Sequence, residues 1–201
     1  MQHPEDIAMK ATSFALAALG LTIAAPASAD VVASGDGGFA TRDTITIPAS
    51  PAEVWDTLVR PALYWNPEHS WYGSADQLFL TFGPGGCFCE IVSGTPEDAI
   101  EDLAFVEHAR VIRTASGQML RLSGAFGPLQ GEALTGTLTI ELDAEGAGTR
   151  VEWSYVVAGF SRFSLPEIAP VVDMVMSEQL GRLGTAVAAR AGNAEGGAVQ
   201  P

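Results

Sequence analysis

Leu134–Gly159 reads LTGTLTIELDAEGAGTRVEWSYVVAG, and its alternation decides the fold. In its first half Leu134, Leu138, Ile140 and Leu142 fall on one side, with Thr135, Thr137, Thr139 and Glu141 on the other. Glu145-Gly146-Ala147-Gly148 makes a turn. Beyond it Val151, Trp153, Tyr155 and Val157 face one way and Arg150, Glu152 and Ser154 the opposite way. A period of two with one apolar side marks an antiparallel pair whose other face meets water.

Working outward, the same pattern recurs upstream at Phe39–Pro48, Gln77–Phe82, Cys87–Val92, Phe105–Thr114 and Met119–Phe126, for seven strands in all. Between the first and second of these, Ser50-Pro51-Ala52-Glu53 predicts a helix start, with Ser as N-cap and Pro at the first helical position. Pro61 interrupts the apolar stripe of Val54, Trp55 and Leu58, so two short helices are expected there. Downstream lies a helix whose start stays open, because Pro166 and Pro170 both suit a first turn. From Pro170 to Arg190 it would run about 31 Å, with Val172, Val175, Met176, Leu180, Leu183 and Val187 as its buried stripe. Glu178 and Arg182 are spaced as an i,i+4 ion pair on another face. Parity on Phe105–Thr114 is ambiguous, because Phe105 and Val111 fall on one face and Val106 and Ile112 on the other.

The expected class is therefore α+β: a curved seven-stranded antiparallel sheet, two short helices after its first strand, and a long C-terminal helix covering the apolar face. A straight rod across a twisted sheet leaves a concave apolar space of the kind small ligands occupy.

This order, with Pro51-Ala52-Glu53-Val54-Trp55 and Gly85-Gly86-Cys87-Phe88-Cys89-Glu90, resembles the START-like or SRPBCC superfamily of helix-grip, polyketide cyclase/dehydrase-like proteins. The nearest branch is the bacterial homologues of activators of heat-shock-protein ATPase. The resemblance spans Phe39–Arg190. It implies binding of a lipid-like or otherwise hydrophobic small molecule and carries over no catalytic residue.

The residues expected at such a ligand are Trp65, Trp71, Tyr72, Phe88, Glu90, Phe126, Trp153, Tyr155, Met176 and Leu180. The aromatic run Tyr64–Tyr72 either stacks on a ligand or plugs the open end of the sheet, and Trp153 and Tyr155 are equally core or cavity wall. Glu90 shares a strand face with Phe88, which makes it a polar anchor or candidate base. His108 is the second candidate for acid–base work. Cys87 and Cys89 share the opposite face. They read as small, partly buried thiols, because a bridge between them would bend the strand. As metal ligands they would need two more, and the sequence offers no second C-x-C or His pair. No cofactor motif is present. A binder is therefore expected ahead of a cyclase-, dehydratase- or hydrolase-type enzyme, or a co-chaperone-like interaction module.

A net charge of −14 opposes nucleic acid and anionic membranes. Residues 1–29 predict a signal peptide, with Lys10, the apolar run Ala11–Ala25, and Ala27-Ser28-Ala29 as the cleavage site. Met9 reads as its natural start. The apolar run is too short to span a bilayer. The expected location is periplasmic or secreted. Residues 30–38 predict a flexible lead-in, 39–190 the helix-grip domain, and 191–201 a disordered tail.

Overall fold

The computed structural model describes residues 28–93 and 104–196. The expected leader up to residue 27 and the tail from 197 onward lie outside the described residues.

An open antiparallel sheet of eight strands carries the fold, in the order β1-β2-β8-β7-β6-β5-β4-β3. The strands are β1 Ser28–Gly35, β2 Gly38–Ile47, β3 Leu78–Leu80, β4 Cys87–Ser93, β5 Ala104–Ala115, β6 Met119–Ser123, β7 Ala133–Glu145 and β8 Gly148–Phe160. Helix α1 is Pro51–Leu58 and helix α2 is Leu165–Gly196. The seven expected strands are β2 to β8. The eighth is β1, where a flexible lead-in was expected. Its residues turn at Gly35–Gly38 and pair with β2 from Ser28↔Thr44 to Gly35↔Gly38. The ladder to β2 and the packing of Val31 against the core hold this edge strand, although its residues are mostly small.

The alternation reads as expected in β7 and β8, where Leu138, Ile140, Leu142, Val151, Trp153, Tyr155 and Val157 are all buried. Ile140 pairs with Trp153 and Leu138 with Tyr155. On the outer face Arg42 meets Glu152 across β2 and β8 at 3.3 Å.

Ser50 caps α1 in a reciprocal capping box, its backbone N–H donating to Glu53 Oε2 at 2.8 Å. The second short helix is one 3-10 turn, Pro61–Leu63, because Pro61 halts the α-helical ladder.

Helix α2 takes the earlier of its two possible starts, with Pro166 in its first turn, and ends later than its polar tail suggests. Pro170 lies inside it. The missing N–H removes one rung, but Leu165 and Ala169, one turn apart, are completely buried and hold the first turns in place. Residues 191–196 continue the helix rather than fraying into a tail. Glu178 and Arg182 do not pair with each other; both reach across to the segment after α1, as described below.

Helix α2 packs on β1 and β2, toward one side of the sheet. A Cβ on Gly184 would stand 2.8 Å from Ile45 Cδ1, so glycine sets how closely helix and sheet approach. Under the helix lies an unusual polar group. Asp43 and Thr41 point inward from β2 and are fully buried, and neither Asp43 oxygen has a close hydrogen-bond partner among the described residues. Burial, then the neighbouring Asp173 carboxylate of α2, pushes the Asp43 pKa up to about 7; the Ser177 hydroxyl opposes this and Asp30 adds to it. Asp173 is also raised, by burial and then by Asp30.

The folded chain therefore holds a proton on Asp43 that the unfolded chain releases at lower pH, so stability falls as pH rises from about 4 to about 7. Asp43→Asn removes the buried charge. Urea unfolding at pH 8 should show the variant more stable by roughly 2 kcal/mol, with little difference at about pH 4. Equal effects at both pH values would contradict the protonated carboxyl.

Candidate functional site

The segment from Tyr64 to Gln77 leaves α1 and crosses the half of the inner face that α2 does not cover. Two sets of bonds hold it. On the helix side the Asn66 N–H donates to Gln179 Oε1 at 2.7 Å, and Asn66 Nδ2 donates to Glu178 Oε1. His69 Nε2 meets Glu178 Oε2 at 3.1 Å, and Arg182 Nε donates to the Tyr64 carbonyl at 2.7 Å. This is where Glu178 and Arg182 are used.

On the sheet side the anchor is Glu90, which is 0% exposed. Its Oε2 accepts from the Trp71 N–H at 3.0 Å, and its Oε1 accepts from the Tyr72 N–H. His108 Nε2 lies 3.0 Å from the same Oε2. A carboxylate taken out of water needs hydrogen-bond donors, and here two backbone amides and an imidazole supply three.

His108 reaches Glu90 through a bulge. Phe88 pairs with Ala109 and Cys89 with Glu107, so β5 carries His108 as an extra residue between them. A second irregularity skips Ile112, since Val111 pairs with Leu122 and Arg113 with Arg121. These two shifts explain the ambiguous parity of this strand. Gly124 makes room for the first: a Cβ there would lie 2.4 Å from the His108 carbonyl. The imidazole stacks against Phe88, ring centroids 4.9 Å apart. Burial pushes the His108 pKa below the usual histidine range, against the opposing pull of Glu90.

Cys87 and Cys89 are joined in a disulfide, with Cα atoms 5.5 Å apart, rather than being free thiols. Two residues of extended strand advance about 6.7 Å, so β4 is drawn in at this point.

These elements enclose a cavity of about 330 Å³. Trp65, Ser70 and Trp71 form one wall, Ile168, Val172, Val175 and Met176 of α2 the opposite one, and His108, Phe126 and Leu129 line the sheet side. Trp71 is 57% exposed, at the rim. A volume near 300 Å³ is at the small end of ligand sites.

Of the expected ligand residues, Trp65, Trp71, Phe126 and Met176 therefore line the cavity, as does His108. Glu90 does not: it sits behind the wall and acts through His108 and the loop. Tyr72 offers its backbone N–H to Glu90 while its ring points to solvent, half exposed. Phe88 backs the wall, edge-on to Trp65 at 5.0 Å. Trp153, Tyr155 and Leu180 are core, each no more than 1% exposed. The Tyr155 hydroxyl donates to the Gly124 carbonyl at 3.0 Å and accepts from the Phe126 N–H at 3.1 Å, which fixes the turn on the sheet side of the cavity. The centre beneath the sheet is filled, leaving a void of about 10 Å³ beside Phe88 and Trp153. Sequence reasoning did not assign Ile168 and Val171 of α2 to the site; Leu129 lies in the 3-10 turn Gly127–Gly131, a segment whose Gly-Pro sequence marks it as a turn able to shape the cavity rim.

The shape of the chain is shared with solved structures. A putative uncharacterised protein from Rhizobium leguminosarum matches with TM-score 0.52 and 15% identity, covering 83% of this chain and 98% of its own. Ara h 8.0201 matches with TM-score 0.51 and 16% identity, covering 76% of this chain and 99% of its own. The fold is an α+β helix grip. CalU16 from Micromonospora echinospora is also matched, at TM-score 0.44 and 15% identity, over 86% of this chain and 96% of that one. No protein-family model and no curated protein matches the chain. Identities this low speak to the fold alone. Among the described residues of this helix-grip chain, no helix is long and apolar enough to cross a membrane, and no cluster of three or more His, Cys, Asp or Glu could hold a metal ion.

Glu90→Ala would leave two backbone donors and the His108 Nε2–H unpaired in a closed wall. Equilibrium urea unfolding should register a loss of about 3 kcal/mol, with faster proteolysis within residues 66–74. A loss below about 1 kcal/mol would mean the loop is held by other contacts.

Proposed function

We propose that this protein binds a small hydrophobic molecule in the cavity between Trp65, Phe126 and the first half of α2, as an exported carrier or sensor. The observation that carries the reading is the cavity itself, about 330 Å³ in volume and walled mainly by aromatic and aliphatic side chains. Its walls are tied together by bonds within the protein, through Glu90 on one side and the Asn66–Gln179 contact on the other. Pre-formed, mostly apolar concavities with few polar groups are how small-molecule sites are made.

Export is supported by the signal-peptide pattern of residues 1–29 and by the Cys87–Cys89 disulfide, which suits an oxidising compartment. N-terminal sequencing of periplasmic product should find a chain beginning at Asp30; a chain beginning at Met1 or Met9 would contradict export.

Two other readings have less support. A cavity enzyme would use His108, but among the buried cavity-lining residues no second acid or base faces it. The branch of heat-shock-protein ATPase activators, suggested by the P-x-E-V-W and G-G-x-F-x-E segments, would act as a docking module and leaves the cavity without a role.

Binding is measurable with N-phenyl-1-naphthylamine, whose fluorescence rises in apolar surroundings. The protein should take up one equivalent, and Val175→Trp, which fills the cavity from α2, should weaken uptake at least about tenfold. Unchanged uptake in a folded Val175→Trp variant would place the dye elsewhere and remove the support for this site.

A further inference from the structure

We propose that the cavity selects an apolar molecule bearing one hydrogen-bond donor, an alcohol or a phenol, and that His108 Nδ1 is the acceptor that recognises it. This rests on the binding reading above and specifies the chemistry of the bound molecule.

The argument starts from Glu90. Both of its oxygens already accept backbone N–H groups, Oε2 from Trp71 and Oε1 from Tyr72. An oxygen pair so engaged accepts from His108 rather than donating to it, so Nε2 carries the proton. In a neutral imidazole the other nitrogen is then a bare lone pair. Burial lowers the His108 pKa, which keeps the ring neutral at ordinary pH. Nδ1 has no donor from the protein among the described residues, and the ring lines the cavity while only 7% exposed.

The other polar groups of the wall are already engaged. Trp65 Nε1 donates to the His69 carbonyl at 3.1 Å, and Ser70 Oγ donates to the Pro67 carbonyl at 2.8 Å. His69 is held to Glu178, and Glu68 and His69 lie toward the outside of the loop, not buried. His108 is thus the buried wall residue with hydrogen-bonding capacity to spare.

An acceptor that lines the cavity without a protein donor loses its water when an apolar molecule covers it, so a ligand that brings a donor gains over one of the same shape that brings none. A carboxylic acid gains nothing comparable: its anion would face a lone pair with Glu90 close behind and Glu68 at the rim. Charge therefore disfavours acids, and the hydrogen bond favours a donor-bearing molecule over ethers and hydrocarbons.

The test is a matched set of probes of one shape: 2-naphthol, 2-methoxynaphthalene and 2-naphthoate. Binding to the full chain is followed by calorimetry and by quenching of tryptophan fluorescence. The naphthol should bind about tenfold tighter than the ether, the worth of one net hydrogen bond, and the naphthoate should bind weakest. His108→Phe should erase the preference while still binding the ether. His108→Gln, which keeps a donor toward Glu90 and offers its own carbonyl oxygen, should restore part of it. Independently of any variant, the His108 Nδ1 resonance of ¹⁵N-labelled protein should sit at the unprotonated position and move upfield when the naphthol is added. Equal affinity for naphthol and ether, a protonated Nδ1, or a preference that survives His108→Phe overturns the assignment and leaves the cavity reading standing. If neither neutral compound binds, the cavity reading falls and takes the assignment with it.

Discussion

The buried carboxylate of Glu90 is the interaction on which the rest of the site depends. It sits on β4 with no exposure to water and draws donors from two other parts of the chain: the amides of Trp71 and Tyr72 in the loop, and the His108 ring on β5. A charge in such a place is tolerable only when hydrogen-bond donors meet it. The requirement brings the loop down onto the sheet and so creates a wall where α2 does not reach. It also fixes which nitrogen of His108 is protonated. One group thereby determines both the shape of the cavity and its polarity.

The cavity does not lie where a rod laid across a curved sheet would leave it. Helix α2 is offset over β1 and β2, and the space under the centre of the sheet is occupied by Trp153, Tyr155 and their neighbours. What remains open is the end at which the first turns of α2, the loop after α1 and the turn at Phe126–Leu129 converge. The mismatch between rod and sheet is real, but large side chains fill its middle and displace the hollow to one end. That is why Trp153, Tyr155 and Leu180 belong to the core, whereas Val172, Val175 and Met176, earlier on the same helix, belong to the cavity.

The parts of the fold that sequence reading recovers are those encoded locally. The alternation of β7 and β8 and the capping box at Ser50 and Glu53 are written within a few residues of one another. What it misses is encoded between segments. The bulge at His108 exists only as a register between β4 and β5, so strand parity alone could not orient that ring. The partners of Glu178 and Arg182 lie more than a hundred positions away, and helical spacing suggested a nearer pairing. Edge strand β1 carries a short apolar signal, Val31 and Val32, and is placed by its ladder to β2 and by α2 packing on it. Pro170 is accommodated because Leu165 and Ala169 are anchored beneath the sheet, a fact of packing rather than of propensity.

The cross-link between Cys87 and Cys89 closes a ring with a single intervening residue, Phe88. In polymer terms so short a ring removes little freedom from the unfolded chain, on the order of 1.6 kcal/mol by loop-closure entropy, well below what a long loop gives. Its main effect is then on form rather than on folding equilibrium. It shortens the span of β4 immediately before Glu90, the residue to which the loop over the pocket is bound.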